Sequence, residues 1–288
     1  MSVAPYGTQN DAMFDGDTVN SLLSEIPKLP AGADSLVCRA CAGQTVEWRT
    51  GPLLNLSVRY LRCPHCEYLQ TEHPYWLERA YASSINASDT GIMARNLMNV
   101  RVVLATLWAL GGLHMRVVDF AGGYGILTRL LRDLGVDAAW SDQYSSNLLA
   151  RGFEHAGEPA QLVTAFEAFE HFVEPPAELD KMLSIAPNVL LSTEIVPNPP
   201  PAPGQWRYYG SEHGQHIGFY TVRTLQELAA RRGRYLISDG RFFHLMTERK
   251  VSAAFWHCCM RLRRFAGFVA ARTLESKTIE DSIRIAGR

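Results

Sequence analysis

Several things are missing from this 288-residue chain, and each absence narrows its class. No stretch approaches the roughly 18 uninterrupted apolar residues that a membrane-spanning helix requires. The opening stretch MSVAPYGTQNDAMFDGDTVN has neither a basic start nor an apolar core, so no secretory or organellar leader is expected. Neither sign of charge dominates: 28 Lys and Arg face 29 Asp and Glu, which gives no footing for broad nucleic-acid binding. No internal repeat marks the chain as a solenoid. The compartment these features imply is the cytoplasm, where thiols stay reduced and spaced cysteines bind metal more often than they pair.

What is present is an ordinary globular composition, 47% hydrophobic and 20% charged, long enough to bury a full core. The charge is uneven. From Arg249 onward nine Lys or Arg face three Asp or Glu, a surplus of six that leaves the rest of the chain at −7. Residues 1–33 read as a loosely ordered arm in which NSLLSEIPKL could dock as a short helix. Residues 34–74 hold four cysteines among the β-like pieces TVEWRT and SVRYLRC. Residues 75–113 turn helical, with apolar residues three and four apart in PYWLERAYASSI and TGIMARNLMNVRVVLATLWAL.

Strands and helices then alternate up to residue 248. MRVVDFA, VDAAWSD, the stretch ending near Thr164, NVLLSTEIV and the RYLISDGRFFHLMTE hairpin read as strands. GILTRLLRDLG, SNLLARGFEHAG, PPAELDKMLSIA and TVRTLQELAARRG read as helices, and PNPPPAPGQWRYYG as a loop. Such alternation implies an α/β fold, a parallel sheet with helices on both faces. Residues 249–288 form a basic helical segment. It is read as packing on the domain or on a second copy in a homodimer, with peripheral contact to an anionic membrane as the alternative.

Two features carry chemistry. Cys38-Arg-Ala-Cys41 and Cys63-Pro-His-Cys66 are CxxC pairs 21 residues apart, a ribbon-like spacing that lets four thiolates reach one tetrahedral zinc and leaves no open position for catalysis. Cys258 and Cys259 sit on an apolar helix and read as packing residues. The second feature is DFAGGYG after a strand. A dinucleotide loop wants GxGxxG, but counting from Gly123 puts Thr128 at the third small position. Asp119, Ala121, Gly123 and Gly125 instead follow DxGxGxG with one alanine, which resembles the first motif of class I S-adenosylmethionine methyltransferases. A carboxylate for the ribose hydroxyls is then expected at the end of the next strand. AAWSDQY supplies Asp142, 23 residues after Asp119.

In sequence order the four cysteines, YLQTEHPYWLERAYASSI, the glycine loop and TAFEAFEHFVEPP resemble zinc-containing bacterial class I methyltransferases. Sugar C-methyltransferases belong to that group. The resemblance implies a Rossmann-like methyltransferase sheet with a small N-terminal zinc-ribbon module. It places Glu170-His171 beside the transferable methyl, with His171 as base. The tyrosine that helps this histidine in sugar C-methyltransferases is absent from the local motif, where Ala168 and Phe169 stand.

The expected cofactor set is therefore Asp119, Ala121, Gly122, Gly123, Gly125, Asp142, Gln143, Phe166 and Glu167. Candidate bases are His171, His213 and His216, with Glu170 beside them, because a hydroxyl nucleophile must lose a proton and imidazole titrates near neutrality. The crowded GSEHGQHIGFY adds Glu212 and Tyr220 as acceptor contacts, and Tyr81 joins them from the helical lead-in. The function expected is methyl transfer to a hydroxyl of a sugar, glycan or natural-product scaffold. Sugar C-methylation is the alternative. A zinc-ribbon nucleic-acid or protein-binding module is the alternative of another class, disfavoured by a ribbon with four Arg, no Lys and acidic residues among them.

Overall fold

The structure, a computed structural model, describes residues 37–81 and 90–287. The expected N-terminal arm, its NSLLSEIPKL helix and most of YASSINASD lie outside these residues.

The principal sheet has six strands in the order β5-β4-β6-β7-β10-β9. These are β4 (Val117–Phe120), β5 (Ala138–Ser141), β6 (Leu162–Phe166), β7 (Val189–Ser192), β9 (Tyr235–Ser238) and β10 (Phe243–Thr247). The first four strands in that order run parallel, and β10 runs antiparallel to both of its neighbours. Neighbouring residues of each inner strand face opposite ways, so apolar runs serve two cores at once. Val117, Leu162, Leu190 and Leu245 pack with α2 (Ile92–Leu110), α3 (Ile126–Asp133), α6 (Ala253–Leu262) and α7 (Ala266–Thr273). Val118, Val163, Leu191 and Met246 pack on the other side with α4 (Pro175–Ile185) and α5 (Val222–Ala230). Two prolines open α4 where their missing N–H groups cost nothing, and a Thr221–Thr224 capping box opens α5.

The second sheet is smaller. β1 (Val46–Leu53), β2 (Leu56–Arg62) and β3 (Leu69–Thr71) form an antiparallel meander, and β8 (Gly218–Phe219) adds itself to β3. The cysteine-bearing region thus draws its fourth strand from a point about 150 residues further along the chain. All four ribbon cysteines belong to the same apolar cluster as α4, α5 and one face of the principal sheet.

One expectation fails locally. SNLLARGFEHAG is not a helix. Asn147 accepts from the Ala150 N–H at 2.9 Å and donates to Glu154 at 2.7 Å, Glu154 accepts from the Gly152 N–H at 3.0 Å, and Leu149 N–H donates to Tyr124 O at 3.0 Å. Side chains here take the backbone donors that a helix would use. PYWLERAYASSI keeps one described turn, α1 (Leu77–Ala80). The Pro-rich stretch is a loop as expected, apart from a 3-10 turn over Arg207–Tyr209.

The C-terminal helix α8 (Thr278–Ala286) is tied back through buried Asp281, which pairs with Arg132 and, at 2.9 Å, with Arg129. Arg132 holds both carboxylate oxygens of Asp281, at 2.7 and 2.6 Å, and its guanidinium lies 3.8 Å from the Phe153 ring centroid. Asp281→Ala leaves that guanidinium with only the more distant Asp137 carboxylate, at 3.4 Å, as counter-charge. It should cost about 2–3 kcal/mol, read from the shift of the denaturant midpoint at constant m-value.

Candidate active site

The glycine loop leaves the carboxyl end of β4 through a series of left-handed residues. Ala121, Gly123 and Gly125 have φ of 56°, 54° and 81°. Gly122 is required sterically, because a Cβ there would lie 2.8 Å from the Trp140 ring and 2.9 Å from Asp119 Oδ2. At Gly125, which opens α3, a Cβ would meet Asn147 Oδ1 at 2.7 Å. Gly123 differs from both: a Cβ there would meet no protein atom within 4 Å. The bare backbone of Gly123 therefore faces open space beyond the ends of the parallel strands, where α/β sheets hold their ligands.

The two acids expected beside the cofactor are turned inward. Asp119 is buried beneath the loop, where it accepts from Thr164 Oγ1 at 2.9 Å and Thr128 Oγ1 at 3.4 Å. Burial pushes its carboxyl up to about 7, against the pull of those hydroxyls. It supports the loop from below and does not line its open side. Asp142 accepts from the backbone N–H of Gly123 (2.9 Å), Tyr144 (2.7 Å) and Ser145 (2.9 Å), which fastens the turn after β5 to the turn after β4. Trp140 Nε1 reinforces that link by donating to Gly123 O at 2.8 Å. Gln143 is exposed on the same turn.

Past β6 the chain bends at Glu167, with φ 50°, and its side chain and N–H both bond Ser192 Oγ, at 2.7 and 2.9 Å. Phe166 lies edge-on to Phe243 with ring centroids 6.2 Å apart. The 3-10 turn Phe169–His171 follows. It is clamped twice: Tyr220 Oη donates to Phe169 O at 2.8 Å, and Ile217 N–H donates to Glu170 O at 2.8 Å. The second bond sets His171 beside His216, with ring centroids 4.9 Å apart. Tyr220, expected to touch the acceptor, is fully buried and its hydroxyl is spent on this clamp. Glu212 is exposed, and its charge reaches the site only by favouring the protonated form of His213, an effect smaller than the burial that opposes it.

The three histidines differ in what their ring nitrogens already do. His216 Nδ1 lies 2.6 Å from Tyr208 O; a carbonyl only accepts, so Nδ1 carries the proton and the neutral ring keeps its lone pair on Nε2. His213 Nδ1 accepts from the Gln215 N–H at 3.1 Å, so its lone pair is spent and its neutral ring is protonated on Nε2. His171 Nδ1 lies 2.9 Å from Tyr81 Oη. Burial and the neighbouring histidine hold His216 well below the usual imidazole range, and burial holds His171 down to about 4.

Glu170 completes the group. Donor atoms of Glu170, His171 and His216 all lie within 4.8 Å of one another. The Glu170 carboxyl is wholly buried and neither oxygen has a hydrogen-bond partner. Burial, with the charge of Glu167, raises it to about 8, although the nearby Tyr208 and Thr193 hydroxyls favour its charged form. Tyr208 and Thr193 were not legible in the sequence as site residues. The only trace of Tyr208 is the aromatic cluster WRYY inside a proline-rich loop.

At the far side of α5 the four ribbon thiols converge. Cys38 and Cys66 sulfurs lie 3.6 Å apart, as do those of Cys41 and Cys63. Backbone N–H groups point at several of these sulfurs, from Ala40 and Cys41 to Cys38, Gly43 to Cys41 and Tyr68 to Cys66. Sulfurs bound to one tetrahedral ion at about 2.3 Å would be about 3.8 Å apart, and N–H donors of this kind favour thiolate, so the cluster suits a closed tetrahedral metal site.

A family model described as a methyltransferase domain matches residues 93–238, just over half of the chain. The chain belongs to this methyltransferase family. It is a methyltransferase. Solved structures similar to it include magnesium protoporphyrin IX methyltransferase from Synechocystis PCC 6803 with bound S-adenosylhomocysteine, 17% identical with a TM-score of 0.40 over 59% of this chain and 92% of that one. An O-methyltransferase family protein from Burkholderia thailandensis is 17% identical, with a TM-score of 0.44 over 62% of this chain and 63% of that one. An O-methyltransferase of neocarzinostatin biosynthesis, solved with S-adenosylhomocysteine and 1,4-dihydroxy-2-naphthoic acid, is 18% identical, with a TM-score of 0.41 over 60% and 61%. No curated protein matches the chain.

The contrast among the glycines of this methyltransferase yields a test. Gly123→Ala clashes with no protein atom and should cost about 1–2 kcal/mol of stability for its left-handed backbone. Its methyl group enters the open side of the loop, so S-adenosylhomocysteine should bind roughly tenfold or more weakly by calorimetry, about 1.4 kcal/mol or more.

Proposed function

We propose that the methyltransferase transfers a methyl group to a hydroxyl of a small polyhydroxylated or natural-product acceptor, with His216 as general base. The observation that carries this reading is the tautomer of His216. Its Nδ1 proton is given to the Tyr208 carbonyl, and its Nε2 lone pair remains available in a half-buried position beside a second neutral imidazole. The Gly123 backbone and the turn carrying Asp142 would hold S-adenosylmethionine, with Glu167 and Phe166 on the β6 side. When bound, the cofactor supplies an electrophilic methyl on a sulfonium. Positioning then carries most of the rate, and the chain's own residues must remove one proton from the acceptor.

That proton goes to His216 Nε2. The resulting imidazolium lies against the Tyr208 carbonyl and within reach of Glu170. Glu170, His171 and His216, with donor atoms within 4.8 Å of one another, titrate as one group, so the captured proton is held by the trio as a whole. Tyr81 orients His171 through its 2.9 Å bond. That bond also supports sugar C-methylation as a second reading, since it supplies from a separate helix the tyrosine missing beside Glu170-His171. Carbon-13 NMR of the methylated product separates the two by the shift of the new methyl carbon.

For the cysteine cluster we propose structural zinc. Four thiolates fill all tetrahedral positions, so the ion holds the knuckles against α5 and takes no part in the reaction.

His216→Ala should lower turnover about 10²- to 10⁴-fold while S-adenosylhomocysteine binding stays within about twofold, whereas His213→Ala should change turnover only a few-fold. Because His171 is held from 6.5 down to about 4, the folded chain refuses a proton there that the unfolded chain accepts. The contribution of His171 to stability should therefore fall as pH drops from 6.5 towards 4, opposite in sign to those of Asp119 and Glu170, and is read as the difference in stability between the chain and a His171→Phe variant across one pH series; the acid limb of kcat/KM should lie below pH 6.5, because His216 is held below the usual imidazole range. Elemental analysis of the purified protein should find about one zinc per chain, and a Cys38→Ser, Cys66→Ser double variant should lose it together with several kcal/mol of stability.

A further inference from the structure

The basic segment that follows β10 is a nearly continuous helical run. Helix α6, the 3-10 turn Arg263–Phe265 and α7 succeed one another from Ala253 to Thr273, with right-handed helical backbone at Arg263, Phe265 and Ala266. One face is used in the fold: Trp256, Cys259, Met260, Ala266 and Ala270 are buried against α2, and Trp256 Nε1 donates to Thr106 Oγ1 at 3.2 Å. A second set, spaced seven, three and three residues apart, is apolar and turned outward. Phe255, Leu262, Phe265 and Phe268 are each 48–60% exposed. An apolar face on both sides of one helix is the pattern of a helix that a single domain does not finish burying.

The charges beside that set indicate what covers it. From Arg249 to Leu274 there are six Lys or Arg and no Asp or Glu. The cations share the surface of the rings: the Arg264 guanidinium lies 4.7 Å from the Phe265 ring centroid and that of Arg272 lies 4.2 Å from Phe268. A second copy meeting this set across a two-fold axis would bring arginine against arginine. Nucleic acid would meet the cations but leave three phenylalanines and a leucine in water. An anionic bilayer satisfies both, with acyl chains for the rings and phosphate headgroups for the guanidinium groups. Among the described residues no helix is long and apolar enough to cross a membrane, so the run would lie on the surface and not span it.

We propose that the outward face of residues 253–273 docks the methyltransferase on anionic membrane, with Phe255, Leu262, Phe265 and Phe268 entering the headgroup boundary and Arg261, Arg264 and Arg272 contacting lipid phosphate. The reading is independent of which group the enzyme methylates.

Co-sedimentation of the full chain with vesicles tests it, using phosphatidylglycerol mixed with phosphatidylcholine against phosphatidylcholine alone. Binding to the mixed vesicles should be roughly tenfold or more tighter than to the neutral ones and should weaken with added salt. Phe265→Ser with Phe268→Ser, and separately Arg261→Gln with Arg264→Gln and Arg272→Gln, should each reduce vesicle binding roughly tenfold or more. Thermal unfolding and S-adenosylhomocysteine affinity should stay unchanged in both variants, since all five side chains are exposed. Absence of vesicle binding, equal binding to both vesicle types, a dimer in light scattering that the Phe265→Ser, Phe268→Ser variant dissociates, or tighter binding to single-stranded RNA than to mixed vesicles would each overturn the proposal.

Discussion

One hydrogen bond ties the two sheets together at the candidate centre, that from the Ile217 N–H to Glu170 O at 2.8 Å. Glu170 lies in the turn that leaves the principal sheet after β6, and Ile217 immediately precedes β8, the edge strand of the cysteine-bearing sheet. Neither segment could place its histidine alone. His171 sits in a 3-10 turn of three residues, and His216 on an irregular stretch held by Gly210 and Gly214, both left-handed. The main-chain bond and the Tyr220 clamp next to it make the separation of the two rings a property of the packed core. A reaction centre built from two short irregular segments needs such a support, because side-chain geometry is only as fixed as the backbone beneath it.

The electrostatics of the centre follow from how little water reaches it. Two imidazoles and a carboxyl are crowded together, their donor atoms within 4.8 Å of one another. In that setting all three neutral forms are the stable ones: the carboxyl rises and both rings fall. A group poised in this way has no net charge of its own to repel a cationic methyl donor. On the proposed reading it would take up a positive charge when the acceptor releases its proton. Loss of the sulfonium charge would then be matched by the proton held on the trio, leaving the net charge of the cleft unchanged.

The principal sheet was legible because its strands are apolar on both faces and its helices carry their own stop and start signals, Gly135 after α3 and the prolines before α4. The four thiols were legible because metal spacing is written in adjacent residues. SNLLARGFEHAG misled because its apolar periodicity ignores Asn147 and Glu154, whose side chains take backbone donors. The histidines could be named but not ranked. Their difference lies in whether Nδ1 meets a carbonyl or an N–H, and in His216 that partner, Tyr208 O, is set by the folding of the proline-rich loop. Tyr81 and His171, 90 residues apart, carry no sequence sign that they meet. Asp119 and Asp142 were visible as acids at strand ends, yet only the fold shows that one is a pillar and the other a fastener.

The cysteine knot and the reaction centre are joined by fewer steps than their separation in sequence suggests. The carbonyl of Cys66 accepts from Thr224 Oγ1 at 2.8 Å and, more distantly, from Thr221 Oγ1 at 3.4 Å, so the second knuckle is fastened to the first turn of α5. Thr221 follows Tyr220, whose ring lies 4.9 Å from that of Tyr68, two residues beyond the same knuckle. Tyr220 in turn holds Phe169, and Phe169 precedes Glu170 and His171. Gly218, in the strand between, tolerates no side chain, since a Cβ would fall on the Tyr68 hydroxyl. The cysteine cluster therefore braces the backbone on which Tyr220, Ile217 and His216 are carried, so the proposed base is positioned through the same contacts that hold the second knuckle.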